Sequence, residues 1–138
     1  MAAISVLVAD SNARLAGIMA QLLEDEPAFS VVGVADSAAA ALVAARTHRP
    51  AAVLVDRGFP DGSGEAVCAA LRASVPDAAV LLWSYDTERT AAEVSDIDGV
   101  LERGMTFREL VGAIVGAHRR LARSRAEQGP ANRVHRPV

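Results

Sequence analysis

Five times along this chain a short, mostly apolar run gives way to a helical pattern, and four of the five stop directly at a polar residue. The runs are Ile4 to Ala9, Phe29 to Val34, Ala51 to Val55, Ala78 to Trp83 and Gly99 to Glu102. Each is short and bounded by turn or cap residues, so each reads as a strand. Strands alternating with helices predict a parallel sheet with helices on both faces, wound right-handedly. The third run is apolar throughout, alanine and valine with one leucine, which suits a strand covered on both sides.

The helical patterns between the runs carry their own punctuation. Asn12 or Ser11 is placed to cap a first helix in which Leu15, Ile18, Met19 and Leu22 form one apolar stripe; Pro27 ends it. Asp36-Ser37 opens an alanine-rich second helix whose inner face includes Leu42 and Ala45. Ser63 or Gly64 opens a third, with Val67, Leu71 and Val75 inward and Cys68 beside them as a small core residue. Asp86 to Val94 is a weak short helix with an Arg89–Glu93 pair. Thr106 caps the last, where Leu110, Ile114, Ala117 and Leu121 point inward while Val111 and Val115 are expected to be exposed to a partner. The reading is one domain over residues 1–122, followed by a linker or disordered tail over 123–138.

Composition narrows what such a domain does. All 14 basic residues are arginine. Residues 1–118 hold 8 of them against 16 acids, and residues 119–138 hold 6 against Glu127 alone. An acidic body favours cations or basic partners over nucleic acid, and with aromatic residues at 4% there is little to stack bases on. The terminal arginines suit the negative end of the last helix. The single Cys68 allows no internal disulfide and makes a reduced, cytoplasmic setting the expectation. Asp10 ends the first apolar run too early for a signal peptide, and the longest apolar run, Ala38 to Ala45, is far too short to span a membrane. No direct nucleic-acid or membrane binding is expected.

The strand ends carry the chemistry. Asp10 follows the first, Asp56 the third, Ser84 the fourth and Arg103 the fifth. In a doubly wound five-stranded sheet of order 2-1-3-4-5 those strands are neighbours, and ligands bind at their carboxyl ends. Two carboxylates make a hard-oxygen site suited to Mg²⁺. A hydroxyl and a cation add partners for a phosphoryl group, with Asp56 as a carboxylate nucleophile toward phosphorus. Asp61 and Asp86 read as loop or cap residues, and His48, His118 and His135 have no metal-ligand spacing.

On these residues the chain resembles the receiver domain of bacterial response regulators, a CheY-like, flavodoxin-like α/β fold, and most closely the receivers of NarL/LuxR-type regulators. The resemblance covers residues 4 to about 121. It rests on the opening Val-Leu-Val-Ala-Asp10, on Val-Leu-Val-Asp56-x-x-x-Pro60-x-x-x-Gly64, on Ser84 and on Gly99-Val-Leu-x-Arg103. It implies that Asp56 accepts a phosphoryl group from a sensor histidine kinase. It also implies that Asp10, Asp56 and the Gly58 carbonyl hold Mg²⁺, and that Ser84 meets a phosphoryl oxygen. The domain would itself be no enzyme but a signalling module controlling transcription. Its output would be a C-terminal DNA-binding domain or a separate effector, or a homodimer formed through the last helices.

Three departures from the family pattern stand out. Ser11 replaces the second of two adjacent acids, which weakens metal binding. Arg103 stands where the family has lysine, and a planar fork does not place one compact donor in the same way. Val100 takes the place of a switching aromatic residue. These departures support an alternative, a pseudo-receiver that binds partners without phosphorylation. A small enzyme on a similar sheet fits less well. A haloacid-dehalogenase-type phosphatase needs an acid where Gly58 stands, and a flavodoxin's phosphate would be repelled by Asp10.

Overall fold

The computed structural model describes residues 2–134. In chain order the elements are β1 (Ile4–Ala9), α1 (Ala13–Glu24), β2 (Phe29–Ala35), α2 (Ala38–His48), β3 (Ala52–Val55), β4 (Gly58–Phe59), β5 (Gly62–Ser63), α3 (Gly64–Ser74), β6 (Ala79–Ser84), α4 (Thr87–Glu93), β7 (Gly99–Glu102) and α5 (Phe107–Val134). The main sheet is parallel, in the order β2-β1-β3-β6-β7. With the small β4–β5 hairpin set aside, that is the expected 2-1-3-4-5 winding. The hairpin itself was legible only as a loop, because two-residue strands leave no periodicity.

Strand alternation splits the core into two layers. Val6, Val8, Leu54, Leu81 and Trp83 face α1 and α5, where they meet Ala16, Leu23, Leu110, Ile114 and Ala117. Leu7, Val53, Val55, Val80 and Leu82 face α2 and α3 and meet Ala41, Ala45, Val67, Cys68 and Leu71. Every residue of β3 is fully buried, as a strand covered on both faces must be. Burial pushes the Cys68 thiol up to about 12, so it packs as a small apolar group.

Caps fall where side-chain chemistry puts them. Asn12 accepts from the amides of Arg14 and Leu15, Ser37 from Ala40, Ser63 from Ala66 and Asp86 from Arg89. Thr106 and Glu109 form a reciprocal capping box at the start of α5. Asp61, at the hairpin turn, reaches across to accept from Ala38 and Ala39 at 2.8 and 3.1 Å, and these bonds hold its carboxyl below the usual range.

Three local readings change. Helix α1 is rotated from the expected stripe: Ala16 and Leu23 are buried with Met19 and Ala20 beside them, while Leu15, Ile18 and Leu22 are 49, 53 and 45% exposed. The helix has apolar residues on more than one face, and small Ala16 lets that side approach the sheet. Val111 and Val115 are half-buried and pack on the core instead of lying free. Finally, the segment after residue 122, expected to lack regular structure, continues α5 as helix to Val134. Arg, Ala, Glu and Gln in that segment are good helix formers, and Arg125 pairs with Asp77 at 3.1 Å. His135 lies outside the described residues. Among those described, no helix is long and apolar enough to cross a membrane.

Candidate functional site

Adjacency of β1 and β3 places two carboxylates side by side. Ala9 and Val55 are paired in register, and the next residues are Asp10 and Asp56. The Asp56 amide donates to the Ala9 carbonyl and the Asp10 amide to the Ala35 carbonyl, both at 2.9 Å, which fixes both Cα positions. Each carboxylate residue is only 8% exposed. The loop after Asp56 is held by the Gly64 amide, which donates to the Arg57 carbonyl at 2.7 Å.

Asp56 is densely solvated by protein. Its Oδ2 accepts from the Ser11 hydroxyl at 2.8 Å and the Ser11 amide at 3.1 Å. Its Oδ1 accepts from the Arg57 amide at 2.8 Å and from Arg103 Nη2 at 3.0 Å. Burial pushes the Asp56 carboxyl up, but the donors from Ser11 and Arg57 outweigh it and hold the group below the ordinary carboxylate range. Asp10 goes the other way. Burial raises it first and the neighbouring Asp56 charge raises it further, against a lowering bond from the Asn12 amide. Of the two, Asp56 is the stronger acid, and Asp10 is protonated first as pH falls.

Arg103 uses its planar fork. One amino group meets Asp56, while the guanidinium carbon lies 5.0 Å from the Trp83 ring centre and 5.8 Å from that of Tyr85. Trp83 is buried and Tyr85 is 81% exposed, so the cation is seated against one packed and one solvated ring. The Arg103 Nε is buried without a hydrogen-bond partner.

Ser84 is completely buried at the end of β6 but does not bond Asp56. Its hydroxyl lies in a chain: Arg57 Nη1 donates to Thr90 Oγ1 at 3.0 Å, Thr90 and Ser84 share a short hydrogen bond, and Ser84 donates to the Asp86 carbonyl at 2.8 Å. Asp10, Asp56 and Arg103 thus gather directly, and Ser84 joins them only through Arg57. Sequence reasoning treated Ser11 as a missing acid and overlooked its donor role. It overlooked Arg57 and Thr90 altogether. A cation next to Asp56, and a hydroxyl in the middle of a helix short of apolar residues, were the available signals.

Among the described residues no three His, Cys, Asp or Glu side chains gather to hold a metal. The donor chemistry nevertheless fits Mg²⁺, which takes one or two carboxylates and completes its shell with water. Asp10 and Asp56 would supply the carboxylates and Gly58 a backbone carbonyl, with Ser11 leaving one charge fewer than two adjacent acids would.

The opposed shifts make a stability prediction. A carboxyl raised on folding, Asp10, contributes stability below its unfolded pKa and loses it as pH rises through the folded value. Asp56, depressed, contributes above its unfolded pKa and loses it as pH falls through the folded value. Asp10→Asn should therefore raise Tm at pH 7 by removing the repulsion, and the gain should vanish below about pH 4, where Asp10 is protonated anyway. Thermal melts of both proteins at the two pH values check this. An equal Tm at pH 7 would contradict it.

Topology and strand-end geometry together define a signal-receiver domain of the CheY-like kind. The model of the response regulator receiver domain matches residues 6–115. The chain belongs to that family. It is 33% identical over 125 residues to a protein-glutamate methylesterase/protein-glutamine glutaminase of Anaeromyxobacter dehalogenans, covering 88% of this chain but only 35% of that relative. Among solved structures, the signal receiver domain of the response regulator NarL from Mycobacterium tuberculosis superposes with a TM-score of 0.75 at 27% identity, covering 86% of this chain and 98% of that one. A CheY-like receiver from Methanospirillum hungatei reaches 0.78 at 17% identity, a likeness of fold alone, over 89% and 99% of the two chains.

Proposed function

We propose that this receiver accepts a phosphoryl group on Asp56 from the phosphohistidine of a sensor kinase. The observation that carries the reading is Asp56 itself, a nearly buried carboxylate kept ionised by three N–H or O–H donors and the Arg103 ion pair. An Asp56 oxygen attacks phosphorus, the bond from phosphorus to the imidazole nitrogen breaks, and that nitrogen keeps the electron pair and takes up a proton. Arg103 balances the negative charge gathering on the equatorial oxygens. Mg²⁺, when held by Asp10, Asp56 and the Gly58 carbonyl, supplies further positive charge at those oxygens. The phosphorylated domain then signals through its output face of α4, β7 and α5. The receivers it resembles support transcription control as the outcome, through a DNA-binding domain following α5 or a separate effector, with homodimerisation through the last helices.

A phosphorylation-independent interaction module is the second reading. It is favoured by one feature: both Asp56 oxygens already have protein donors, and Ser84 is engaged by Thr90. Incubation with phosphoramidate and Mg²⁺, followed by intact-mass measurement, separates the two. One added phosphoryl group that is lost in Asp56→Asn is the expected result. No addition at saturating donor would establish the second reading. Trp83, the only tryptophan, gives a parallel fluorescence readout because Arg103 lies against its ring.

A further inference from the structure

Among the described residues, helix α4 docks on the domain through the polar side chain of Thr90, and its C-cap Val94 packs against the core. Among its described residues Thr90 alone is buried, at 4% exposure. With Thr90 as the buried side chain among those described, the docking of this helix involves the groups that bond Thr90. Those groups are Arg57 and Ser84.

Arg57 ties this anchor to Asp56. Its backbone amide donates to Asp56 Oδ1 at 2.8 Å, while its side chain reaches Thr90 at 3.0 Å and Glu65 of α3 at 3.3 Å. The residue thus touches the phosphoacceptor with its main chain and α4 with its guanidinium. A cleft of about 310 Å³ opens beside it, lined among others by Glu65, Asp86, Arg89 and Thr90, and leaves room for the side chain to move. The Ser84 hydroxyl gives its hydrogen to the Asp86 carbonyl and is approached by Thr90, by the Asp86 amide and, at 3.4 Å, by Arg57 Nη1. A phosphoryl oxygen only accepts, so Ser84 bonds one on Asp56 only by withdrawing its hydrogen from the Asp86 carbonyl, a rotation that also disturbs its contacts with Thr90 and Arg57.

We propose that Arg57 and Thr90 form a polar latch that positions the Ser84 hydroxyl and docks α4 in the unmodified protein. The latch opens when Ser84 turns toward a phosphoryl group on Asp56. This rests on the phosphoacceptor reading above and supplies a coupling route that needs no aromatic residue at position 100. Thr90 is a positioning residue that acts through Ser84.

Hydrogen exchange followed by mass spectrometry on the whole chain tests it, with Thr90→Val and Thr90→Ser beside the wild type. In unmodified protein the α4 amides of Thr90→Val should exchange about tenfold faster, with α1 and α3 unchanged, and Thr90→Ser should restore wild-type protection. With phosphoramidate and Mg²⁺, wild-type α4 should reach the Thr90→Val rate, and Thr90→Val should show no further rise. Equal α4 exchange in unmodified wild type and Thr90→Val would overturn the latch whatever Asp56 does. So would a phosphorylated wild type whose α4 protection is unchanged. Loosened α4 in Thr90→Val, with no mass gain in any variant, would refute the Asp56 reading and support the latch.

Discussion

Arg103→Ala is expected to slow phosphoryl incorporation from phosphoramidate by about 10²-fold, the usual cost of deleting one preorganised partner of developing charge. The substitution removes the only side-chain cation bonded to Asp56 among the described residues. Two neighbouring carboxylates would then share one pocket without that counter-charge, and the Asp56 carboxyl should titrate higher. The ion pair is 35% and 11% exposed on its two sides, so solvent screens part of the loss. About 1–2 kcal/mol of stability should go with it, less than for a fully buried pair. Arg103→Lys discriminates charge from shape. It keeps the cation but gives up the planar contact with Trp83, so a partial recovery of rate with altered Trp83 emission is expected. Wild-type rates in Arg103→Ala would show that the guanidinium plays no part in the transfer.

Gly64→Ala should be the most damaging single methyl in the molecule's functional loop. A Cβ there would lie 2.1 Å from the Asp56 carbonyl oxygen, 2.9 Å from Leu82 Cδ1 and 3.0 Å from the Arg57 carbonyl carbon. Two of those three atoms are backbone, so the loop carrying Asp56 must shift. About 3 kcal/mol of stability should be lost, with a fall in Tm of roughly 10 °C. Because the displaced segment also carries the Asp56–Arg57 peptide, phosphoryl incorporation should fall even at temperatures where the variant is folded. Gly112→Ala in α5 is the control. Nothing lies within 4 Å of its Cβ, and a helix-interior alanine there should stabilise by about 0.5–1 kcal/mol. Near-wild-type melting of Gly64→Ala would mean that the close packing of this loop against Asp56 is not a structural requirement.

The winding of the sheet and the identity of its strand ends were legible in the sequence because both depend on local signals. Short apolar runs, caps and glycines define five β-α units, and the chirality of their connections leaves few arrangements. Asp10, Asp56, Ser84 and Arg103 were named because a residue following a strand needs no long-range information to be placed at its carboxyl end. Val67, Leu71, Ile114 and Ala117 were likewise found, since each helix carrying them has one dominant apolar face. Helix α1 was not, because its apolar residues allow two rotations and only the fit of Ala16 and Leu23 against the sheet chooses between them.

Hydrogen-bond direction was beyond the sequence. Ser11 is the same residue whether it weakens a metal site or donates to Asp56, and only the approach of the α1 start to the end of β3 decides. The sequence by itself determined which residues arrive at the rim of the sheet, because strand ends are encoded one element at a time. The tertiary structure alone decided which of them meet, turning Ser84 and Arg57 toward α4 and Ser11 and Arg103 toward Asp56. Those contacts join residues up to 47 positions apart in the chain, and their geometry is set by how the elements pack.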